Sequence, residues 1–356
     1  MSQNSSTSSS NARRFVGGFL LGTLLLLLPG VILSFYLQPL SGDLTRIGNL
    51  AERDFGATQP QASLSRQAND ASPTDADVLV LGDSFSARNA WQTVLSQSTG
   101  LKTLSYHYDE LPCLDYWLEQ AASGKLSNKA RTLIIQSSER DFMRRFTEQS
   151  SSCEPAPLQA SKIAAEILTS QRSRLDLLPM NIMHVLKTQS NHLAMSSSSG
   201  KVRFQRTIMV NLTRNDLFSN RLSGHLLYYA VDIERREQYW SPEQADQALA
   251  YLARYHDMAA ARGVRLLVIA IPDKSSVYAP WVAAGQLPVM PGYNLHPRLA
   301  SQFGHYADLL TPFREAAGKS ADFYAPNDTH LSLDGYRELS RLLAIQINHR
   351  HKQFVR

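Results

Sequence analysis

Short apolar runs alternate with helical patterns of apolar residues from residue 77 onward. The runs that suit buried strands occupy residues 78–81, 101–106, 132–136 and 264–271. A helical pattern follows the first run over residues 85–97, with Ser84 at its start. Strands that alternate with helices predict a mostly parallel sheet covered by helices on both faces, which is an α/β architecture.

Two later helices are indicated by their ends as well as by their periodicity. Ser241 can cap a helix that has Pro242 in its first turn and that stops near Gly263. Apolar residues at helical spacing predict a last helix over residues 333–350. Between residues 155 and 240 the alternation is interrupted, although residues 202–212 and 226–233 suit strands. We therefore predict an insertion there, as a lid or a substrate platform.

The N-terminus predicts a membrane segment. A polar tail ends at Arg13 and Arg14, and residues 15–37 are apolar and uncharged, which is long enough to span a bilayer, since about 20 residues are needed. The arginines favour a cytoplasmic tail and an exported remainder. A cleaved signal peptide is the alternative. We predict a tail (1–14), a transmembrane anchor (15–37), a linker (38–76) and a catalytic domain (77–356).

The overall composition fits a globular protein with a sizeable core. Hydrophobic residues make up 43% and charged residues 19% of the 356 positions, and the formal net charge is +5. The basic residues are scattered, so we expect no nucleic-acid partner. Two cysteines, Cys113 and Cys153, can pair in an exported domain or remain separate buried thiols. Without His or Cys at metal-ligand spacing, they predict no metal site.

Two distant segments carry candidate chemistry. The first strand ends in Gly82-Asp83-Ser84, which puts a serine at the carboxyl edge of the sheet and at a helix start. Near the C-terminus, Asp328 and His330 stand two residues apart. Together they predict a triad in which His330 activates Ser84 and Asp328 orients the imidazole. The backbone N–H of Ser84 is the candidate oxyanion donor.

These motifs resemble the SGNH/GDSL hydrolase superfamily. Three segments resemble its alginate O-acetyltransferase (AlgX/AlgJ-like) branch, which acetylates bacterial exopolysaccharides; they are residues 135–140, 271–278 and 327–332. The resemblance implies an SGNH-type three-layer sandwich over roughly residues 77–347. Some features depart from the pattern. The second conserved sequence block of the superfamily has a glycine, and none is evident in residues 103–109. The third block has an asparagine, and Gln136-Ser137-Ser138 occupies that region here. The acid–histidine pair follows the serine, whereas alginate enzymes can carry it before the serine.

Further polar residues sit where strands end. Asp83, Ser137, Ser138, Arg140, Lys274 and Tyr278 are candidate oxyanion or substrate-binding residues. Arg140 and Lys274 can bind an acidic sugar, or they can form ion pairs at strand ends. The second oxyanion donor stays open.

The resemblance implies a membrane-anchored, extracytoplasmic O-acetyltransferase that works through a Ser-His-Asp triad and an acyl-enzyme. It implies a polysaccharide acceptor, a membrane-bound acyltransferase that delivers the acetyl group, and no metal or soluble cofactor. We therefore expect a single-pass protein of the inner membrane with its catalytic domain in the periplasm. Two alternatives remain, namely a secreted carbohydrate esterase with the same triad and a glycan-binding assembly scaffold without activity.

Overall fold

A computed structural model describes residues 6–37, 41–59, 64, 71–147, 157–158, 160, 182–196, 200–288, 295–302 and 306–354. Its strands are β1 (Val78–Gly82), β2 (Thr103–His107), β3 (Thr132–Ser138), β4 (Val202–Phe204), β5 (Thr207–Asn211), β6 (His225–Tyr229), β7 (Arg265–Ile271) and β8 (Tyr306–Ala307). Its helices are α1 (Ser6–Leu37), α2 (Asp43–Gly48), α3 (Glu52–Phe55), α4 (Ser84–Ala87), α5 (Ala90–Thr99), α6 (Leu114–Ala122), α7 (Glu139–Thr147), α8 (Ile182–Ser196), α9 (Val231–Tyr239), α10 (Pro242–Ala260), α11 (Lys274–Tyr278), α12 (Leu295–Gln302), α13 (Leu310–Ala317) and α14 (Leu333–Phe354).

The central sheet is parallel and has five strands in the order β2-β1-β3-β7-β8. Strands β2 and β3 lie on opposite sides of β1 in the sheet. The direction in which strands are added along the sheet therefore reverses between β1 and β3. In open parallel sheets, ligands bind beyond the carboxyl ends of the strands at such a reversal. The predicted α/β class with a mostly parallel sheet is confirmed.

Helices cover both faces of this sheet. Alternate residues of a strand point to opposite faces, and β1 divides its side chains between two cores in this way. Leu79 and Leu81 pack in a core that includes residues of α6, α7 and α10. Val78 and Val80 pack in a second core that includes residues of α5, α13 and α14. The three layers are therefore helix, sheet and helix.

The helix predicted to follow Ser241 is capped as expected. The hydroxyl of Ser241 accepts a hydrogen bond from the backbone N–H of Gln244 at 3.2 Å, and the Gln244 side chain accepts one from the Ser241 N–H. This reciprocal pair satisfies two donors that a helix start otherwise leaves free. The helix α10 ends three residues before Gly263, which takes the left-handed conformation with φ +66°.

The region of the predicted insertion contains a second sheet. Strands β4, β5 and β6 form an antiparallel sheet of three strands. The second predicted strand, over residues 226–233, is only partly right, because the helix α9 begins at Val231. Residues 161–181 of the predicted insertion lie outside the described residues.

The predicted linker over residues 38–76 needs correction, because part of it is folded against the domain. Helices α2 and α3 lie within it. Leu44, Leu50 and Phe55 are fully buried and form a third core with residues of β5 and β6. Burial of these side chains stabilises the segment by about 1.5–3 kcal/mol each. Residues 41–59 therefore belong to the folded domain.

The helix expected over residues 85–97 is also interrupted. The short helix α4 stops at Ala87, and α5 starts at Ala90. Asn89 between them has φ +52°, a left-handed conformation that no helix contains but that asparagine tolerates. The chain thus changes direction five residues after Ser84.

Within the part of the chain that the structure describes, one helix is long and apolar enough to cross a membrane by length and composition. It is α1, in which residues Ala12–Pro29 have a mean hydropathy of 1.4 and none of these residues is buried inside the protein. A membrane anchor and a signal sequence both have this character. Cys113 is disulfide-bonded, and Cys153 lies outside the described residues.

Candidate active site

Ser84 stands at the carboxyl end of β1, beside the reversal in strand order. Gly82, the last residue of β1, allows the tight turn before it. A Cβ atom at Gly82 would overlap the Ser86 side chain and lie 2.7 Å from Gln136 Oε1. Only glycine fits there, so the sequence Gly-Asp-Ser is a packing requirement of the turn as well as a motif.

Asp83 holds this turn in place. One of its oxygens accepts hydrogen bonds from the Phe85 N–H at 3.1 Å and from Gln136 Nε2 at 2.8 Å. The other accepts from the Ser138 N–H at 2.6 Å. Burial acts against the charged form, but Arg145 and these donors outweigh it and lower the pKa of Asp83. Asp83 is therefore an ionised structural anchor, and both of its carboxylate oxygens are engaged inside the protein.

His330 contacts Ser84 directly. Its Nε2 atom lies 2.9 Å from the Ser84 hydroxyl oxygen, across 246 positions of sequence. Its Nδ1 atom lies 2.6 Å from Asp328 Oδ1, which also accepts the His330 backbone N–H at 2.9 Å. With the proton on Nδ1, Nε2 is left free to accept the serine proton. The three residues have the geometry of a serine nucleophile, a base and an orienting acid.

The imidazole is buried and packs against an aromatic ring. The ring of Phe85 lies 4.8 Å from it, centroid to centroid. Burial disfavours the charged imidazolium, yet the carboxylate of Asp328 outweighs this and raises the pKa of His330 above 6.5. The same pairing holds the pKa of Asp328 far below its ordinary value, against the effect of burial. The pair therefore keeps Asp328 ionised beside the base.

A second carboxylate, which the sequence did not reveal, faces the same histidine. Asp43 on α2 has an oxygen 3.7 Å from His330 Nδ1. The same oxygen, Oδ2, accepts a hydrogen bond from the Thr329 hydroxyl, and the other oxygen, Oδ1, accepts one from the Thr329 N–H at 2.7 Å. Burial, with the neighbouring charge of Asp328, raises the pKa of Asp43 to about 6.

Lys274, predicted as a candidate substrate contact, lies inside the protein. Its Nζ atom donates to the carbonyl oxygens of Ala325 at 2.7 Å, Pro326 at 2.9 Å and Asp328 at 3.1 Å. Burial lowers the pKa of Lys274 to about 7, although several carboxylates act in the opposite direction. Lys274 therefore supports the turn before His330, and its amine is engaged by three backbone carbonyls inside the protein.

Arg140 is likewise engaged within the protein. It donates to Asp273 at 2.9 Å and to Asp232 at 3.2 Å, and both carboxylates are buried. Of the two sequence-based alternatives, the ion pair at a strand end is the correct one. The charges of a buried pair must be matched, because an unpaired ion in the interior is strongly destabilising.

Three other candidates are also buried in internal contacts. The Ser137 hydroxyl donates to the Ser138 carbonyl at 3.0 Å and accepts from Arg145 at 3.0 Å. The Ser138 hydroxyl donates to Asp141 at 3.3 Å. Tyr278 is fully buried, and its hydroxyl accepts from the Tyr324 N–H at 3.3 Å. As placed, Ser137, Ser138 and Tyr278 stabilise the site from behind and do not line it.

Arg88 is a cation at the exposed side of the triad. Its guanidinium lies 3.8 Å from Asp328 Oδ2, and 41% of the side chain is exposed. Sequence reasoning missed it, because an arginine after a short helix carries no motif. Its charge opposes protonation of His330, so it partly offsets the effect of Asp328.

A group of three potential metal ligands occurs at this site among the described residues. Asp43, Asp328 and His330 offer atoms that lie within 4.8 Å of one another. The hydrogen bonds already described engage these atoms, and His330 also faces Ser84. This donor set serves proton transfer without requiring an ion.

The comparison with protein families agrees with this geometry. Residues 227–354 match the family described as "SGNH hydrolase-like domain, acetyltransferase AlgX". This part of the chain, which is about a third of its length, therefore resembles an SGNH hydrolase-like domain of the AlgX type. The AlgX-type region contains Asp328 and His330, whereas Ser84 precedes it. No curated protein and no solved structure matches the chain.

The AlgX-type domain supports acyl-group chemistry on a polysaccharide, either transfer or ester hydrolysis. The resemblance to the AlgX-like branch of the SGNH superfamily is thereby confirmed. Because the AlgX-type match starts at β6, it does not cover the first three strands of the sheet. Ser84 is connected to the AlgX-type region by its contact with His330.

Proposed function

We propose that the protein is a membrane-anchored, extracytoplasmic O-acetyltransferase that acetylates hydroxyls of a bacterial exopolysaccharide. The observation that carries the proposal is the 2.9 Å separation of Ser84 Oγ and His330 Nε2, next to the 2.6 Å contact of His330 with Asp328. This arrangement supports a covalent mechanism, because a serine hydroxyl needs a base within hydrogen-bond reach to become a nucleophile.

In the first half-reaction, Ser84 Oγ attacks the carbonyl carbon of an acetyl donor while His330 Nε2 takes the hydroxyl proton. The tetrahedral intermediate collapses, the bond to the donor's leaving group breaks, and the imidazolium returns the proton to that group. Asp328 stabilises the imidazolium through Nδ1–H. The product is an acetyl ester on Ser84.

In the second half-reaction, a sugar hydroxyl attacks the ester and passes its proton to His330. Collapse of the second intermediate releases the acetylated sugar, and the proton returns to Ser84. The Ser84 N–H, the first of α4, is the proposed oxyanion donor, because the first N–H groups of a helix have no partner within it. The four-residue length of α4 means that this local N–H, and not a long helix dipole, carries the role.

The apolar helix α1 supports a single-pass anchor in the inner membrane, with the catalytic domain in the periplasm. A membrane-bound acyltransferase would deliver the acetyl group to this side. Water and a sugar compete for the same acyl-enzyme, so the acceptor decides whether the protein acts as a transferase or an esterase.

The test uses the full chain in detergent with an activated acetyl ester and an oligosaccharide series. We expect acetylated oligosaccharide to form and the release of free acetate to fall as oligosaccharide is added. The Ser84→Ala variant should be inactive. The exposed Ser98 on α5 supplies a matched control, and Ser98→Ala should be fully active. Release of acetate alone, unaffected by every oligosaccharide, would favour the esterase.

A further inference from the structure

We propose that Asp43 is a positioning residue of this active site and that residues 41–55, directly after the proposed membrane anchor, complete the site. The inference rests on the proposed function, because it assigns Asp43 a part in holding the base of that reaction. Under this proposal the segment is not a spacer, because it holds the acid and the base of the triad in position.

Asp43 binds Thr329, the residue between the acid and the base. Both of its carboxylate oxygens accept hydrogen bonds from Thr329, one from the backbone N–H at 2.7 Å and one from the hydroxyl. Its own backbone N–H donates to Asp328 Oδ2 at 3.3 Å. Asp43 therefore fixes the spacing of Asp328 and His330 from the side opposite Ser84.

The rest of the segment holds the preceding residue of the same turn. The Leu44 N–H donates to the Asn327 carbonyl at 3.1 Å. The Asn327 side-chain amide donates to Glu52 on α3 and to the Ser41 hydroxyl, the latter at 3.3 Å. Gly42 is packed so closely that a Cβ atom would overlap the Asn327 backbone. Four successive residues of the turn are thus held by this segment or by the triad itself.

The charge of Asp43 also bears on the base. Its carboxylate favours the protonated form of His330, in the same direction as Asp328. The other charged groups that influence this pair are Arg88 after α4, Lys274 on α11 and Arg140 on α7. Removal of the Asp43 charge leaves these groups in place and should lower the pKa of His330.

The connection to α1 limits where the site can be. Helix α1 ends at Leu37, and the segment begins at Ser41. Four residue steps reach at most roughly 14 Å, so the triad stays close to the end of the anchor. It follows that any proteolytic removal of α1 must cut before residue 41 if the site is to remain intact.

The test compares Asp43→Asn with Asp54→Asn in the full chain in detergent. Asp54 is a buried carboxylate on α3 of the same segment that pairs with Arg53 and His192 and does not contact the triad. For Asp43→Asn with p-nitrophenyl acetate we expect kcat to fall about 10–100-fold, by analogy with the loss of an orienting partner of a metal-bound histidine. KM should stay within about 2-fold, since the variant removes no contact that substrate makes.

The pH profile separates positioning from general support of the fold. In Asp43→Asn the acid limb of kcat/KM should move to lower pH, because the base loses one of its two neighbouring carboxylates. Asp54→Asn should leave the limb unchanged. Thr329→Val removes the hydroxyl's contacts with Asp43 and with His330 Nδ1 but keeps the Asp43 carboxylate, so it should lower kcat several-fold. This variant serves if Asp43→Asn does not fold.

Wild-type kcat and an unshifted acid limb in a folded Asp43→Asn protein would overturn the proposal, as would an unaltered kcat in Thr329→Val. An NMR titration of His330 needs no turnover. It should give a lower pKa for His330 in Asp43→Asn than in the wild type. If Ser84→Ala retains full activity, the proposed function fails, whereas the titration still decides the role of Asp43.

Discussion

The Nζ atom of Lys274 lies 3.1 Å from the carbonyl oxygen of Asp328, the proposed orienting acid of the triad. Two further carbonyls of the same turn, those of Ala325 and Pro326, accept hydrogen bonds from this buried amine. A side chain that begins α11 thus fixes the backbone that presents the acid and the base. The link ties the carboxyl end of β7 to the catalytic turn.

Replacement of Lys274 by methionine should disturb this turn. The change keeps the aliphatic bulk but leaves three buried carbonyls without their donor, so we expect the free energy of unfolding to fall by about 1–3 kcal/mol. We also expect kcat to fall, because His330 loses its support. Chemical denaturation and acetyl-ester turnover measure the two effects. The exposed Lys319 provides the control, and Lys319→Met should change neither.

The parts of the site that sequence predicted are those with local signatures. Ser84 follows a wholly apolar strand and a Gly-Asp turn, and Asp328 and His330 share a short motif. Each segment indicates its role by spacing alone, and their meeting follows from the position of the site at the carboxyl edge of the sheet.

The parts that sequence missed depend on long-range contacts. Asp43 contacts Thr329 across 286 positions of sequence. The residues around Asp43 are mostly polar and contain too few apolar positions at helical spacing to predict the helices α2 and α3. For Arg140 and Lys274, sequence left a ligand contact and an internal contact as alternatives, for a related reason. A charged residue after a strand suggests a ligand, whereas its burial depends on partners such as Asp232, which comes from the second half of the chain.

Arg140 offers a direct test of this correction. Arg140→Met leaves the buried carboxylates of Asp232 and Asp273 without their shared cation, and we expect about 3–5 kcal/mol of destabilisation. Denaturant unfolding measures it, with Arg221→Gln at an exposed position as control. If Arg140 instead binds an acidic sugar, KM for the acceptor would rise while stability stayed near that of the wild type.

The pH dependence of activity should reflect the raised pKa of His330. The base must be neutral to accept the proton of Ser84, and its pKa lies above 6.5 in the folded protein. We therefore expect kcat/KM to reach half its maximum, on the acid side, at a pH above 6.5 and to fall as the pH is lowered further. A half-maximum at or below 6.5 would contradict the assigned environment of His330.

The Asp328→Asn variant should shift this limb to lower pH, because the imidazolium loses its nearest carboxylate. We also expect kcat to fall by roughly 10⁴-fold, as reported for the equivalent change in the serine-protease triad, because the wrong tautomer is favoured. A pH series of acetyl-ester turnover measures both effects. An unchanged limb would argue that another group orients His330.

Steric fit at Gly42 gives a further prediction. In Gly42→Ala the new methyl group meets the Asn327 backbone, so we expect about 1–3 kcal/mol of destabilisation from overpacking together with reduced kcat. Gly200, which has open space around it, is the matched control, and Gly200→Ala should behave as the wild type. If both variants had the same free energy of unfolding and the same kcat, residues 41–55 would not hold the turn at Asn327 in solution.

The most direct test of the account is to trap the acyl-enzyme. The full chain is incubated with an activated acetyl ester, quenched in acid, digested and analysed by mass spectrometry. The account predicts one acetyl group on the peptide that contains Ser84, lost in Ser84→Ala and strongly reduced in His330→Ala. No acetylation of Ser84, or equal labelling in the His330→Ala protein, would contradict it.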